Sequence, residues 1–347
     1  MEPKPKNFVN SEKTKHHAEI LSNRVRNRYR HLSRKFKRQN IDCFRLYDWD
    51  IPEVRAVVDW YAGHLVVAEY ERLQTGPQWL PQMAEAVFQA LGVPSERTHI
   101  KRRRTKTEDE PRYSKMPRPS EFLNVGGVPP TFGIQKGGRF FRGQRFEVRE
   151  RDLRFWINLE DFLDTGLYSD HRDTRVMIGE LAKGQDFLNL FAYTGAFTCA
   201  AAAGGAKTTT TVDRSETYQN WAKDNLQLNK LSGPQHTFVQ SNVSKFLAKA
   251  EHEGRRFTLA FVDPPSFFQD QTRKISFDVN EDHPELIQNV LKVMTPGSLV
   301  FFSTNHQRFE PNLEGLPVKD LVELTPKTIP EDYRNRKVHR CWQMTVL

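Results

Sequence analysis

The sequence predicts an α/β protein, with a parallel sheet in its second half, a smaller α+β domain before it and a basic helical arm at the start. Short β-rich runs alternate with helical patterns after about Asp164, which is typical of parallel sheets covered by helices. The preceding segment has several strands but one clear helix. We therefore expect an arm over residues 1–40, an α+β domain over 41–160 and a sheet domain over 161–347.

The composition is that of a globular chain. The 347 residues are 37% hydrophobic and include 24 Phe, which excludes wholesale disorder. No apolar run approaches the length of a membrane helix, and the start lacks the apolar core of a secretory signal. Cys43, Cys199 and Cys341 show no metal-like spacing. These features predict a cytoplasmic protein with no membrane partner and no metal site.

The arm carries the entire surplus of positive charge. Residues 1–40 contain 12 Lys and Arg against three acids, and the formal net charge of the whole chain is +9. Apolar residues recur at helical spacing after Ser11, at Leu21, Val25, Tyr29, Leu32 and Phe36. This pattern predicts a helix that packs its apolar face on the rest of the protein and exposes its Lys and Arg side chains, which can then contact RNA phosphates. A solvated tail that only aids solubility is the alternative.

The segment after the arm predicts a small α+β unit. Alternating, Val- and Tyr-rich residues over 43–70 predict three short strands, with turns at 50–52 and at Gly63. A helix is expected from about Trp79 to Leu91, ended by Gly92. The basic run HIKRRRT predicts a further strand, and Pro and Gly predict loops over residues 105–143.

In the second half, strands are expected at DFLNLF, TTTTVD, HTFVQS, TLAFVD and SLVFFS, with helices near 196–204, 215–229, 243–253 and 283–294. The carboxyl ends of such strands converge on one edge of the sheet, where open α/β folds bind ligands. The turn Asn189–Thr198 (NLFAYTGAFT) lacks the GxGxxG of dinucleotide sites. Gly195 is expected to let the backbone approach a ligand without phosphates, such as S-adenosylmethionine.

Two further strand ends have both a ligand and a capping interpretation. Asp213, in TVDRS, could accept hydrogen bonds from a ribose diol, whereas Asp213 or Ser215 could instead cap the following helix. Asn242, in QSNVSKFL, could hydrogen-bond an adenine edge, and capping is the simpler interpretation for this motif by itself.

The most specific strand end is FVDPPSFF, Phe261 to Phe268. Pro264 and Pro265 stiffen the backbone and remove two donors, so the chain presents carbonyls and the Asp263 carboxylate on a rigid ledge. Phe267 and Phe268 could stack on a base. This combination suits an unstacked nucleobase.

The order of these motifs resembles the class I S-adenosylmethionine-dependent methyltransferases, with their Rossmann-like sheet. Together with YSDHR, FRLYDWDIPE and DYRNRKVHRCW, they resemble the 23S rRNA methyltransferases, in particular the guanine-N7 half of the bifunctional 23S rRNA guanine methyltransferases. The resemblance covers about residues 20–347 and implies S-adenosylmethionine as cofactor and S-adenosylhomocysteine as product. It implies 23S rRNA or its precursor, locally unfolded, as partner, with a separate N2-guanine methyltransferase acting in trans.

The resemblance also implies roles for individual residues. The positions that match the family's cofactor contacts are Tyr168, Asp170, His171, Arg172, Asn189, Phe191, Tyr193, Thr194, Gly195, Asp213, Arg214 and Ser215. Asn242 stands where these enzymes usually have Asp. The catalytic-loop motif matches Asp263, Pro264, Pro265 and Ser266, followed by Phe267.

Guanine N7 carries a lone pair and no proton, so direct in-line transfer needs neither a general base nor a metal. Methylation of an exocyclic amine remains open. Cytosine C5 chemistry needs a Cys nucleophile, and none lies on the FVDPPSFF loop. A non-catalytic RNA-binding assembly factor is the alternative from another class. A nucleotide-dependent oxidoreductase is disfavoured by the missing glycine motif.

Overall fold

The structure is a computed structural model that describes residues 11–70, 76–103, 144–270, 275–306 and 308–347. The chain forms two compact units. The first comprises Met1–Asp152 and Ile157–Thr165, and the second comprises Leu153–Trp156 and Gly166–Leu347. The division at residues 40 and 160 stays a prediction, and the loops expected over residues 105–143 lie outside the described residues.

The first unit contains a four-stranded sheet with the strand order β1-β2-β3-β4. The β1–β2 and β2–β3 pairs are antiparallel and β3–β4 is parallel, because helix α2 connects β3 to β4. The three strands and the helix expected over 43–91 are confirmed. The elements of this unit are α1 Ser11–Arg38, β1 Cys43–Asp48, β2 Ala56–Tyr61, β3 His64–Tyr70, α2 Trp79–Leu91, β4 Thr98–Arg103 and β5 Phe146–Glu150.

Helix α1 docks on this unit through the apolar stripe expected from the sequence. Leu21, Val25, Leu32 and Phe36 are fully buried, and they share a hydrophobic core with residues of α2 and of the sheet. Arg24 forms an ion pair with Asp50 at 2.7 Å. The expected docked helix is therefore confirmed for the described part of the arm.

The second unit is built on a seven-stranded sheet with the order β14-β15-β13-β10-β7-β8-β9. Strand β6 Leu153–Ile157 belongs to this unit except for its last residue. The other elements are α3 Arg172–Leu181, β7 Asp186–Leu190, α4 Ala196–Ala203, β8 Thr208–Asp213, α5 Glu216–Leu228, β9 His236–Gln240, α6 Val243–His252, β10 Phe257–Val262, β11 Phe267–Asp270, β12 Ile275–Asp278, α7 Val279–Leu291, β13 Met294–Thr304, β14 Val318–Glu323, α8 Thr325–Thr328 and β15 Arg340–Val346.

The parallel sheet with helices on both faces is confirmed. The five strands expected from the sequence, β7, β8, β9, β10 and β13, pair in parallel. Alternate residues of β7 point to opposite faces, so Leu188 joins a core with α6 and α7 while Phe187 joins one with α3 and α4. The antiparallel strands β14 and β15 extend the sheet beyond β13 and were not expected.

Among the described helices, none is both long enough and apolar enough to cross a membrane.

Candidate active site

The site lies at the carboxyl edge of the seven-stranded sheet. Val262, Leu190 and Val212 pair across β10, β7 and β8, so these three strands end at the same level. The site therefore begins with the residues that come directly after these three paired residues, which are Asp263, Phe191 and Asp213. The convergence expected from the sequence is observed at this edge.

The turn after β7 is tightly wound. Phe191 and Tyr193 have φ of +56° and +51°, a left-handed conformation that costs energy for residues with a side chain. Gly195 has φ of +72°, and a Cβ there would lie 2.6 Å from the Cβ of Ala222. The glycine is thus required by its conformation and by the packing of α4 on α5, and the ligand approach expected at this position stays a prediction.

Asp213 links the first two strand ends. Its Oδ2 accepts the backbone N–H of Tyr193 at 2.9 Å and its Oδ1 accepts that of Ser215 at 2.8 Å. The hydroxyl of Ser215 caps α5 by accepting the N–H of Tyr218 at 3.3 Å. Of the two residues proposed as caps, Ser215 therefore caps the helix, and Asp213 orders the turn.

Two predicted cofactor residues of the first turn make buried contacts within the protein. Asn189 donates from Nδ2 to Oγ1 of Thr198 at 3.0 Å, beneath the turn. Thr194 donates from Oγ1 to the carbonyl of Gly166 at 2.6 Å. The ring of Tyr193 lies 5.0 Å from that of Tyr168, so the segment before α3 and the turn after β7 are brought together.

Asn242 is the N-cap of α6. Its Oδ1 accepts the backbone N–H of Lys245 at 3.3 Å. The capping interpretation is therefore realised, and a contact with adenine stays a prediction.

The segment Ser169–His171 is held by residues near the C-terminal end of the chain. Asp170 Oδ2 lies 3.0 Å from Nδ1 of His339, whose Nε2 lies 3.0 Å from the hydroxyl of Thr328. The rings of His171 and His339 stack with centroids 4.0 Å apart. DYRNRKVHRCW was part of the sequence resemblance, but no role was predicted for His339.

His171 connects this segment to the Asp263 loop. Its Nε2 lies 3.8 Å from Asp170 Oδ2 and 4.0 Å from Asp263 Oδ2. Burial lowers the pKa of His171 well below its ordinary value, and the adjacent His339 lowers it further, against the effect of Asp170. A neutral imidazole therefore faces the Asp263 carboxylate. The resemblance placed His171 among the cofactor contacts, and sequence reasoning did not detect its proximity to Asp263.

Asp170, His171 and His339 are also a group of ligand-type side chains with atoms within 4.8 Å of one another. The interplanar angle of the two rings is 14°, and nitrogen lone pairs lie in the ring planes. Lone pairs in nearly parallel stacked planes do not converge on one ion, as metal coordination requires, and both ring nitrogens of His339 already have partners in Asp170 and Thr328. The geometry fits a hydrogen-bonded support beneath Asp263 rather than a metal site.

Beyond the proline ledge, the FVDPPSFF loop continues into the hairpin β11–β12, where Phe268 pairs with Phe277. The guanidinium of Arg214 lies 4.3 Å from the centroid of the Phe268 ring. Phe267, on the opposite face of β11, is 46% exposed. The hydroxyl of Ser266 donates to Oδ1 of Asn305 at 2.6 Å. Asn305 follows β13, and sequence reasoning did not identify it.

This fold and edge geometry agree with the comparison to known families. Residues 141–317 match the family of S-adenosylmethionine-dependent methyltransferases. The chain belongs to this family. The cofactor of the methyltransferase is therefore S-adenosylmethionine, as the resemblance implied.

The methyltransferase is also similar to longer curated proteins. It is 40% identical to the ribosomal RNA large subunit methyltransferase K/L of Aeromonas hydrophila over 336 residues, which are 94% of this chain and 43% of the relative. The corresponding protein of Syntrophotalea carbinolica is 38% identical, with the same coverage. The chain thus spans less than half the length of these curated relatives, and the resemblance to 23S rRNA methyltransferases is confirmed.

Solved structures confirm the Rossmann-like fold. A Streptococcus mutans protein described as an S-adenosylmethionine-dependent methyltransferase superposes with a TM-score of 0.72 at 20% identity, over 99% of this chain and 83% of that one. The S-adenosylmethionine-dependent methyltransferase of Agrobacterium tumefaciens gives a TM-score of 0.57 at 16% identity, over 88% and 90% of the two chains.

The residues at the sheet edge of the methyltransferase fit this cofactor. A carboxylate has about four acceptor sites, so Asp213 can accept ribose hydroxyls beside the two backbone amides that orient it. The Asp263 carboxylate follows β10, the strand that pairs with β7. Its negative charge can stabilise the positive charge of the sulfonium. Asp213 would hold the ribose of the cofactor, and Asp263 would offset its positive charge.

Proposed function

We propose that this methyltransferase methylates N7 of a guanine in 23S rRNA or its precursor. The observation that carries the proposal is the match of 94% of the chain to ribosomal RNA large subunit methyltransferases K/L. Within the described part of the chain, the His residue beside Asp263 is buried and neutral. A His with so low a pKa is a poor proton acceptor. N7 is the guanine position that needs none, because it offers a lone pair and no proton.

The residues of the site divide the work of an in-line transfer. When bound, the cofactor supplies the methyl group on a positively charged sulfonium. Asp213 holds the ribose, and the rigid Pro264–Pro265 ledge fixes the distance between the loop and the base. Methylation at N7 leaves the purine ring cationic, so the Asp263 carboxylate stabilises the transferred charge. Burial keeps His171 neutral, so no positive charge beside Asp263 weakens the attraction of its carboxylate for the positively charged methyl donor or product.

The RNA-facing part of the proposal depends on helix α1. Four exposed basic side chains lie at the spacing i, i+4, i+7 and i+8, so they form one stripe along the helix. They are Arg30, Arg34, Lys37 and Arg38. A basic stripe contacts phosphates without reading sequence. The target guanine is unstacked in locally unfolded RNA.

The experiment that tests the proposal maps modified guanines in 23S rRNA from cells that lack the protein. Loss of one N7-methylguanine, restored by the wild-type gene, is the expected result. Purified protein, labelled cofactor and protein-free 23S rRNA should restore the same modification in vitro. A missing methyl group on an exocyclic amine or on cytosine C5 would replace the N7 assignment.

The cofactor site is tested separately by calorimetry. Asp213→Ala should weaken S-adenosylmethionine binding by roughly 1.5–3 kcal/mol, the range for a hydrogen bond to a charged group. Asp152→Ala is the matched control, because it removes a carboxylate from the turn after β5, far in sequence from the end of β8. Equal cofactor affinity of the Asp213→Ala variant and the wild type would remove Asp213 from the ribose role.

A further inference from the structure

Asn305 occupies a distinct place at the edge of the sheet. It follows β13 directly. Val262, the last residue of β10, pairs with Phe302, so β13 runs on to Thr304 beside the start of the loop that follows β10. In the strand order β13-β10-β7-β8-β9, β13 and the cofactor strands β7 and β8 lie on opposite sides of β10. Asn305 is therefore next to the catalytic loop, on the side away from Asp213 and Asn242.

The orientation of the Asn305 side chain is fixed by the catalytic loop. Ser266 donates its hydroxyl hydrogen to Oδ1 of Asn305 at 2.6 Å. The residue after it is also ordered, since the N–H of His306 is donated to the Thr304 hydroxyl at 3.2 Å. Asn305 remains exposed. Because Oδ1 is turned to Ser266, the Nδ2 group is directed to the other side of the amide, where it offers its N–H donors to a ligand.

The edge of guanine that carries N7 also carries O6, and both atoms are acceptors. Adenine has the same N7 but places an amino donor where guanine has O6. An enzyme that methylates N7 must leave that atom open to the methyl group, so O6 is the neighbouring atom by which guanine can be selected. An uncharged N–H donor suits this position, because methylation makes the ring cationic and a Lys or Arg would repel it.

We propose that Asn305 is a specificity-determining residue, whose Nδ2 donates a hydrogen bond to O6 of the target guanine while Ser266 fixes the amide. The inference rests on the proposed function, and it names the group that distinguishes guanine from adenine. Ser266 thereby acquires a role in the catalytic loop: it positions Asn305 beside the base. The pairing is invisible in the sequence, because the two residues lie 39 positions apart.

The test uses 23S rRNA transcripts that carry guanine or adenine at the mapped target position, with labelled S-adenosylmethionine and full-length protein. Asn305→Asp keeps the shape of the side chain and replaces the donor by an acceptor. The kcat/KM for the guanine transcript should fall roughly 5- to 150-fold, the discrimination of a good base contact. The guanine-to-adenine ratio should fall as well, because a carboxylate accepts from the adenine amino group. Cofactor affinity should change less than about twofold.

Asn220→Asp, on the exposed face of α5, adds the same charge and should keep the wild-type ratio. Ser266→Ala keeps the Nδ2 donor of Asn305 but removes the hydroxyl that orients its amide. The guanine-to-adenine ratio should therefore fall less than in Asn305→Asp. An Asn305→Asp variant that binds cofactor normally and keeps the wild-type ratio would overturn the inference. The guanine-to-adenine ratio can be measured whichever atom of the base receives the methyl group. A wild-type product other than N7-methylguanine therefore refutes the proposed function, and the ratio still decides the role of Asn305.

Discussion

Arg172 and Asp332, which are 160 positions apart, form a buried ion pair with Nη1 3.0 Å from Oδ1 and Nη2 3.4 Å from Oδ2. Only 1% of Arg172 and none of Asp332 is exposed. Next to this pair, the hydroxyls of Ser169 and Tyr333 lie 2.7 Å apart. The start of α3 and the segment before it are therefore fastened to the chain before β15 at two adjacent points.

The first prediction concerns this ion pair. Asp332→Ala leaves the Arg172 guanidinium buried without its carboxylate, and breaking a buried pair in this way costs about 3–5 kcal/mol. Denaturant unfolding should show that loss. Glu285→Ala, an exposed position on α7, should stay within about 0.5 kcal/mol of the wild type. A loss below about 1 kcal/mol in the Asp332→Ala variant would show that the pair contributes little.

Asn242 gives the second prediction. An Asp side chain caps helices as well as Asn does, so Asn242→Asp should unfold like the wild type, and its cofactor affinity should be equal or higher. Asn242→Ala removes the acceptor for the Lys245 N–H and should lose about 0.5–2 kcal/mol of stability. Thermal unfolding and calorimetry measure the two effects. Complete loss of cofactor binding in Asn242→Asp would mean that the amide donates to the ligand.

The elements that the sequence predicted well carry local signals. Helix α2 was expected from about Trp79 to Leu91 and has those bounds, because Gly92 ends it in a left-handed conformation with φ of +65°. The strands β14 and β15 pair antiparallel at one edge of the sheet, and no comparable local signal predicted them. Their place depends on long-range pairing with β13.

The third prediction concerns the basic stripe of α1. Deleting residues 1–40 would remove Leu21, Val25 and other core residues, so substitutions are the sharper test. A variant with Gln at the four stripe positions should bind RNA more weakly, and its log K against log salt should be flatter by about 0.7–0.9 per lost phosphate contact. The substituted positions are Arg30, Arg34, Lys37 and Arg38.

The control for the stripe removes the same number of exposed charges from the second unit, and its salt slope should match that of the wild type. Its Gln substitutions are at Lys230, Lys245, Lys249 and Lys292. Equal slopes for the α1 variant and the wild type would show that the stripe does not contact phosphate.

The fourth prediction concerns acid unfolding of the first unit. Burial, His64 and Lys101 lower the pKa of His99 to about 4. The unfolded chain binds this proton near the ordinary His pKa of about 6.5, whereas the folded protein binds it only near pH 4. The stabilising contribution of neutral His99 is therefore fully present above about pH 6.5 and is lost as the pH falls towards 4.

Thermal unfolding of His99→Gln should accordingly be less sensitive to pH between 6.5 and 4 than unfolding of the wild type. His31→Gln, at an exposed position of α1, should keep the wild-type dependence. Parallel pH profiles for His99→Gln and the wild type would contradict the assignment to His99.

The candidate site shows the same limit of sequence reasoning as the sheet. The order of strand ends brought Asp213 and Asp263 to one edge, since neighbouring parallel strands end together. The side chains around Asp263 come from distant positions, since His171 lies 4.0 Å from it and stacks on His339. A sequence motif can mark such residues, but only the folded chain shows which one each contacts.

The last prediction concerns the two phenylalanines of the FVDPPSFF loop. Side chains of neighbouring strand residues point to opposite faces. Phe268 is covered by Arg214, which anchors the hairpin near Asp213, while Phe267 is 46% exposed and can stack on a base. Phe267→Ala should lower kcat/KM for RNA roughly 5- to 150-fold, the range for one stacked base, and leave cofactor affinity nearly unchanged. Phe268→Ala should instead loosen the hairpin.

The form of the RNA tests the same geometry. N7 of a guanine within an A-form helix faces a deep, narrow groove that side chains cannot enter, so the base must leave its stack to reach Phe267 and the Pro264–Pro265 ledge. Labelled-methyl assays should therefore show transfer to protein-free 23S rRNA and little transfer to assembled large subunits, in which that RNA is folded away. Phe267→Ala should reduce the rate on protein-free RNA. Faster methylation of mature subunits than of free RNA would mean that the base is not presented in an unstacked form.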